Sequence, residues 1–305
     1  PKATFSRRVW ASARNNPPAF SRWSLSFHHL KVDYKDGNKW ALMEPDYEKL
    51  KELFETWQMG MQEGNGWNAV FWCNHDQPHI VSRFGDEDRY WKESAKMLAG
   101  MIHLMRGTPY IYQGEEIGML NAHYSSVHQY RDVESLNYYE ILRGEGKTEA
   151  EALEILAGRS RDNGRTPMQW DTTENSGFSR KEPWIPMSEK YRPEITVEAQ
   201  LMDEDSVLNF YKKLIHLRKQ LPVISNGKIE FIKTGQTKIM AYKRWYGDDI
   251  LVVFCNMDSS KQSIMLDEDW QGYQKVLGNY GDAPERLTGE KYELRPYEIF
   301  VAEKA

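Results

Sequence analysis

Asn74, His75 and Asp76 stand together where an apolar run, residues 67–73, stops and Gln77-Pro78 begins. An amide, an imidazole and a carboxylate meeting at one point can accept and donate hydrogen bonds to a ligand. Other residue types with chemical potential lie further along. Lys31 and Lys39 flank a short polar stretch, and as point charges on flexible stems they suit a phosphate. Arg161 and Arg165 lie four apart, either able to fork onto a carboxylate; the spacing leaves open which one reaches Asp76. Glu115-Glu116 is an acid pair, but adjacent positions diverge, so shared chemistry is not expected of it. His28-His29 read as strand neighbours facing opposite ways, which argues against a shared metal. No Cys/His/acid spacing of a zinc type occurs, and no metal or cofactor is expected.

The elements that must position these groups follow from periodicity. Run 67–73 reads as a buried parallel strand delivering its polar groups at the carboxyl end. Residues 25–34 alternate as a strand followed by a loop. Glu44-Pro45-Asp46 opens a helix carrying Tyr47, Leu50, Leu53, Phe54 and Trp57. A helix near 92–105 bears a methionine stripe, read as core filling. Gly107-Thr108-Pro109 breaks it, and 110–112 reads as a short strand. Strand, helix and strand with short connections form a βαβ pattern. Residues 121–187 form a long excursion with helices near 133–143 and 149–158, the second opened by a Thr148/Glu151 capping box. A helix over 206–220 follows. Beyond Pro222, short runs at 229–231, 239–242, 250–254, 263–266, 273–277 and 299–301 predict an all-β, sandwich-like unit. The expected divisions are a disordered leader over 1–24, an α/β unit over 25–224 and an all-β unit over 225–305.

The 305 residues carry a net charge of -5 and no basic block, which excludes a nucleic-acid footprint. No apolar run approaches a membrane span, and no signal peptide opens the chain, so a cytoplasmic location is expected. Cys73 and Cys255 both lie in apolar runs and are expected as buried reduced thiols.

Three ordered motifs carry a resemblance. They are Asn74-His75-Asp76-Gln77-Pro78 with Val81-Ser82-Arg83-Phe84-Gly85, then Gly107-Thr108-Pro109-Tyr110-Ile111-Tyr112-Gln113-Gly114-Glu115-Glu116-Ile117-Gly118, then Arg161-Asp162-Asn163 with Arg165-Thr166-Pro167-Met168-Gln169-Trp170. Together they resemble the α-glucosidase branch of the α-amylase family of glycoside hydrolases. Residues 27–34 and 37–40 further resemble its trehalose-6-phosphate-hydrolysing subfamily, with the oligo-1,6-glucosidases as alternative. The resemblance implies the C-terminal part of a (β/α)8 TIM barrel followed by an antiparallel β-sandwich domain. It implies Asp76 as a transition-state stabiliser, His75 as a donor to a sugar hydroxyl, Arg165 near the same sugar, and a phosphorylated disaccharide as ligand at Lys31 and Lys39. It places Glu115-Glu116 in a structural loop. The family's nucleophile and acid/base carboxylates fall upstream of these motifs, and residues 1–24 contain no Asp or Glu. The expectation is therefore a portion without turnover of its own, prone to association through exposed barrel edges. A non-catalytic interaction protein on the same fold is the third reading. His79 stands where the family pattern has Arg, a change expected to weaken a rim contact.

Overall fold

The computed structural model describes residues 23–25 and 28–304. The expected leader therefore lies outside the described residues, except at Trp23 and Ser24, which are already strand. Three parallel strands, β1 (Trp23–Leu25), β2 (Trp67–Val70) and β3 (Thr108–Pro109), form one sheet in the order β1-β2-β3. Ala69 is opposite Thr108 and Leu25 opposite Ala69, so β2 is the central strand. Helix α1 (Tyr47–Glu63) connects the first pair, started by the Asp46 carboxylate accepting from the Lys49 amide. Helices α2 (Ile80–Phe84) and α3 (Trp91–His103) connect the second.

The strands are shorter than the apolar runs that announced them. Pairing in β2 stops at Val70, while Phe71, Trp72 and Cys73 stay buried. They leave the ladder for side-chain anchoring, with Trp72 Nε1 donating to the Leu98 carbonyl at 2.8 Å. The strand expected over 110–112 instead pairs at Thr108–Pro109, because the helix has already been broken at Gly107, whose φ is 142°. Residues 28–31 form a 3-10 turn, which corrects the extended reading of 25–34 and the strand-based view of His28 and His29. His29 is buried, its Nε2 2.8 Å from the Phe71 carbonyl.

The long excursion carries α4 (Val133–Gly144) and α5 (Glu149–Arg159), and the Thr148/Glu151 capping box is formed as its sequence foretold. Helices α6 (Val197–Met202), α7 (Val207–Gln220) and α8 (Pro222–Ser225) follow. Among the described residues no helix is long and apolar enough to cross a membrane.

Seven antiparallel strands complete the chain: β4 (Lys228–Phe231), β5 (Ile239–Tyr246), β6 (Asp249–Asn256), β7 (Gln262–Met265), β8 (Gln274–Gly278), β9 (Lys291–Leu294) and β10 (Ile299–Glu303). Five form a sheet, β4-β5-β6-β10-β8, and β7 pairs with β9. Strand alternation divides the larger sheet between two cores. Ile239, Ala241, Val252, Phe254, Phe300 and Ala302 share one core with Ile264 of β7 and Leu294 of β9. Met240, Tyr242, Leu251, Val253, Cys255, Ile299 and Val301 share the other with α3 and α7. The sandwich is thus lopsided. Two strands cover one face and helices cover the other, so the β unit shares its core with the α/β unit.

Helix α3 fills the junction. Its methionines Met97 and Met101 are fully buried, as core filling requires. Gly100 is what lets it approach, since a Cβ there would lie 2.3 Å from Ile299 Cδ1. Arg244 of β5 locks the same junction. Its buried guanidinium donates to the carbonyls of Lys228 (3.0 Å), Ile224 (3.0 Å), Gly227 (2.7 Å) and Leu104. Burial lowers its pKa to about 9, because these partners are carbonyl dipoles and not a carboxylate. Arg244→Met keeps the bulk and strands those carbonyls. It should lower unfolding free energy by about 2–4 kcal/mol in urea titrations, and a change within the error of the wild type would remove this role.

Candidate functional site

Asp76 follows the end of β2 by six residues and is held by its own turn, in which its amide donates to Asn74 Oδ1 at 2.8 Å. The Gln77 amide closes the turn onto the Asn74 carbonyl at 3.1 Å. Gly164 packs directly against it. A Cβ at that position would stand 2.5 Å from the Gln77 carbonyl oxygen and 3.0 Å from that of Asn74. Arg165 is thereby delivered to Asp76. Its Nη2 lies 3.0 Å from Asp76 Oδ1, and its Nε donates to the His75 carbonyl at 2.8 Å. Arg161 Nη1 is 3.8 Å from the same oxygen. Both arginines reach the carboxylate, Arg165 at hydrogen-bonding distance.

His75 Nε2 lies 3.3 Å from Asp76 Oδ2. The two side chains remain 73% and 44% exposed, so polar atoms of both stay open to a ligand. Beyond them runs a chain of alternating charge. Asp132 Oδ1 takes Arg161 at 3.0 Å and Arg165 at 3.5 Å. Glu134 Oε2 takes Arg161 at 3.2 Å and Lys39 at 2.7 Å. Lys39 also lies 4.6 Å above the Trp40 ring, which stacks on Tyr138 at 4.6 Å. Lys39 is thus built into the network, while Lys31, exposed at the end of its 3-10 turn, takes no part in it.

No place at the site was expected of Asp132, Glu134, Asp33 or Asp162. Asp132 is the N-cap of α4, accepting from the Ser135 amide at 3.2 Å, and that cap role was readable from an Asp before a helical run. Burial pushes its pKa up, but Arg161 and Ser135 outweigh this and hold it below its ordinary value. Asp162 Oδ2 accepts the amides of Arg131 (2.7 Å) and Asp132 (2.9 Å), fixing the start of α4. Asp33 lies between two buried guanidiniums. Arg83 donates to it at 3.1 and 2.7 Å, and Arg159 binds both its carboxylate and its carbonyl. Burial raises its pKa, and Arg83 and then Arg159 bring it below the ordinary carboxylate value.

His79 is the N-cap residue of α2 and is buried, with the Asn163 backbone beside its ring. Its amide donates to Asn121 Oδ1, at the start of the long excursion, at 2.9 Å. Desolvation lowers its pKa to about 4, only partly offset by the Asn163 backbone, and burial does the same to His103.

Asp33→Asn leaves two buried guanidiniums short of charge and should cost about 3–5 kcal/mol of stability; calorimetry showing no loss would refute the clamp. Each buried histidine binds its proton near pH 6.5 when unfolded but only near 4 when folded. The unfolded state therefore holds more protons in that window, and their contribution to stability falls as pH drops from 6.5 to 4. His79→Gln should make that acid limb shallower by about one proton's worth, about 1.4 kcal/mol per pH unit.

The alpha-amylase catalytic-domain family matches residues 9–227. Trehalose-6-phosphate hydrolase of Bacillus subtilis (strain 168) is 47% identical over 283 residues, covering 91% of this chain and 50% of the relative. Oligo-1,6-glucosidase of Bacillus cereus is 41% identical over 280 residues, again 91% of this chain and 50% of the relative. The crystal structure of Bacillus licheniformis trehalose-6-phosphate hydrolase superposes with a TM-score of 0.90 at 45% identity, covering 97% of this chain and 54% of that one. The chain spans about half the length of the curated relatives it matches. With the parallel strands, the carboxylate at the end of the central one and a family match over most of their length, the chain belongs to the α-amylase family.

Proposed function

We propose that this chain forms the sugar-binding wall of a glycoside hydrolase of the trehalose-6-phosphate hydrolase type. The observation that carries the reading is Asp76, open to solvent, oriented by Arg165 at 3.0 Å and flanked by His75 at 3.3 Å. Glycoside cleavage passes through an oxocarbenium-like transition state, and a fixed carboxylate can hold sugar hydroxyls whose hydrogen bonds strengthen as that charge grows. Asp76 takes this role, His75 donates to a hydroxyl of the same sugar, and Arg165 keeps Asp76 aimed. Lys39, with Lys31 from the neighbouring turn, supplies positive charge for a 6-phosphate. The 47% identity to a trehalose-6-phosphate hydrolase supports this substrate class.

A glycosidase also needs a carboxyl group poised as an acid, which calls for a raised pKa at the site. Every Asp and Glu of these 305 residues lies among the described ones. The carboxyls beside Asp76 do not meet the need. Asp132 is bound by Arg161 and held low, and Glu134 is paired with Lys39 and Arg161. The carboxyls with raised pKa, Glu115 and Glu116, belong to the 3-10 turn Glu115–Ile117. The 305 residues alone are therefore a binding surface in this reading.

One observation favours a second substrate, an unphosphorylated α-glucoside of the oligo-1,6-glucosidase kind. Lys39 is already neutralised by Glu134 at 2.7 Å, so a phosphate must compete for it. Calorimetric titration of the chain decides between them. Trehalose 6-phosphate should bind about tenfold or more tightly than trehalose, a gap of about 1.4 kcal/mol that Lys39→Ala closes, with no glucose released. Equal affinity for the two sugars would favour the second reading, and glucose release would overturn the assignment of the carboxyls. Asp76→Asn should weaken both sugars together.

A further inference from the structure

Helix α4 and the loop after Asp33 meet at Trp40. The loop closes on itself, with Tyr34 bridged antiparallel to Leu42 and the Trp40 amide donating to Asn38 Oδ1 at 3.0 Å. It turns at Asp36 and Gly37, whose φ values of 53° and 76° are left-handed. Trp40 is only 6% exposed. It packs in a cluster with Ala122, Tyr124, Tyr130, Tyr139 and Leu142, all from the long excursion. Its ring is stacked on that of Tyr138 of α4, with centroids 4.6 Å apart and planes 12° from parallel. Lys39 Nζ lies 4.6 Å from the centroid of the same Trp40 ring. Glu134 stands one turn before Tyr138 on α4 and takes Lys39 Nζ at 2.7 Å. Residues four apart share a helix face. One face of α4 thus supplies a carboxylate and a ring to the Lys39-Trp40 pair.

The clasp bears on what the ammonium can do. A lysine carries three donors on a flexible stem, and an unrestrained one spreads over many rotamers. Here one donor goes to Glu134, and the π face of Trp40 attracts the charge without consuming a donor. Glu134 is also drawn toward Arg161 at 3.2 Å, so its own charge is divided. The Lys39 side chain stays 19% exposed. The ammonium is therefore held in one place with donors to spare for an anion. The Tyr138 ring, stacked on Trp40, fixes the plane over which that charge sits.

We propose that Tyr138 is a positioning residue that determines specificity: by stacking on Trp40 it holds Lys39 ready for the phosphate of a phosphorylated sugar. It acts through the Trp40 ring. The part concerning phosphate rests on the function proposed above; the seating of Lys39 does not.

The test uses the whole chain, labelled with carbon-13 lysine, and two ligands, trehalose 6-phosphate and trehalose. Protons held over an aromatic face resonate upfield. The ε-methylene signal of Lys39, assigned by its loss in Lys39→Arg, should therefore stand upfield of the other lysines. Tyr138→Leu keeps apolar bulk but no flat ring. There the signal should move back toward the others, and affinity for trehalose 6-phosphate should fall about two- to fivefold while that for trehalose holds. Tyr138→Phe keeps the ring and should behave as the wild type in both respects. Should Tyr138→Leu fail to fold, Trp40→Phe addresses the same claim, because a smaller face attracts the cation less. It should give a smaller upfield shift and weaker binding of the phosphorylated sugar. An ordinary Lys39 signal in the wild type, or one unchanged in Tyr138→Leu, would overturn the proposal. So would equal losses for the two sugars, which mark a purely structural role, or a Tyr138→Phe chain that behaves like Tyr138→Leu. A chain that binds neither sugar removes the function and the phosphate role with it, while the lysine signal still decides the seating.

Discussion

The placement of the charged site depends on Asp33, a carboxylate buried between Arg83 and Arg159. Ionised groups are costly to bury, and this one is tolerated because two guanidiniums saturate it. The three residues come from the turn after β1, from α2 and from the end of α5. Their joining fixes the long excursion to the parallel sheet. Arg159 ends α5, Ser160 caps the next turn by accepting the Asp162 amide at 3.1 Å, and Arg161 to Arg165 occupy that turn. The arginines that reach Asp76 are therefore positioned by a clamp that does not itself touch the site. Hydrophobic contact alone would leave α5 free to slide, whereas a forked guanidinium pairs with a carboxylate in few orientations.

From that anchor the charges alternate outward: Asp76, Arg165, Asp132, Arg161, Glu134, Lys39. Arg161 and Arg165 are each shared between carboxylates, and Lys39 is held by Glu134 and the Trp40 ring, so the charges brace one another. At Glu115, by contrast, a carboxyl is buried beside the Tyr211 phenol, and desolvation raises its pKa to about 8.

Most of the architecture was legible because burial writes period into sequence. The apolar runs of β5, β6 and β10, bounded by turn residues, and the helical faces of α1 and α7 made the element order readable without structural information. So did the Thr148/Glu151 pair. The losses have physical causes. Residues 71–73 are apolar because they pack, and apolar packing looks the same within and beyond the last ladder bond, whereas Tyr110 and Ile111 are exposed, so their apolar character marks no buried strand. Strand β9 was missed although Tyr292 and Leu294 alternate with charged residues, because four residues give a weak signal. The two-core sheet was invisible, since a strand buried on both faces carries no polar stripe. At the site, Asp76, His75 and Arg165 meet and Lys39 joins them through Glu134 and Arg161, while Lys31 lies outside that network. Asp33 and Asp162 were missed because a buried carboxylate is recognisable only by its partners, and Arg159 lies 126 residues from Asp33.

The β unit has a mechanical part in this arrangement. Helix α3 shares its surface with the inner face of the larger sheet on one side and with α7 on another, and Trp72, from the segment leading to the Asp76 turn, bonds to its Leu98 carbonyl. A displacement of α3 would move Trp72 and hence Cys73, which is covalently next to Asn74. Gly100 and Arg244 oppose that displacement. One allows the helix to touch β10, and the other binds the Leu104 carbonyl just beyond its last turn. Rigidity at the solvent-facing carboxylate thus originates in a junction buried behind it. In that geometry a single rigid element, α3, carries order from the β unit to the base of the Asp76 turn, while the arginines order the same turn from the other side.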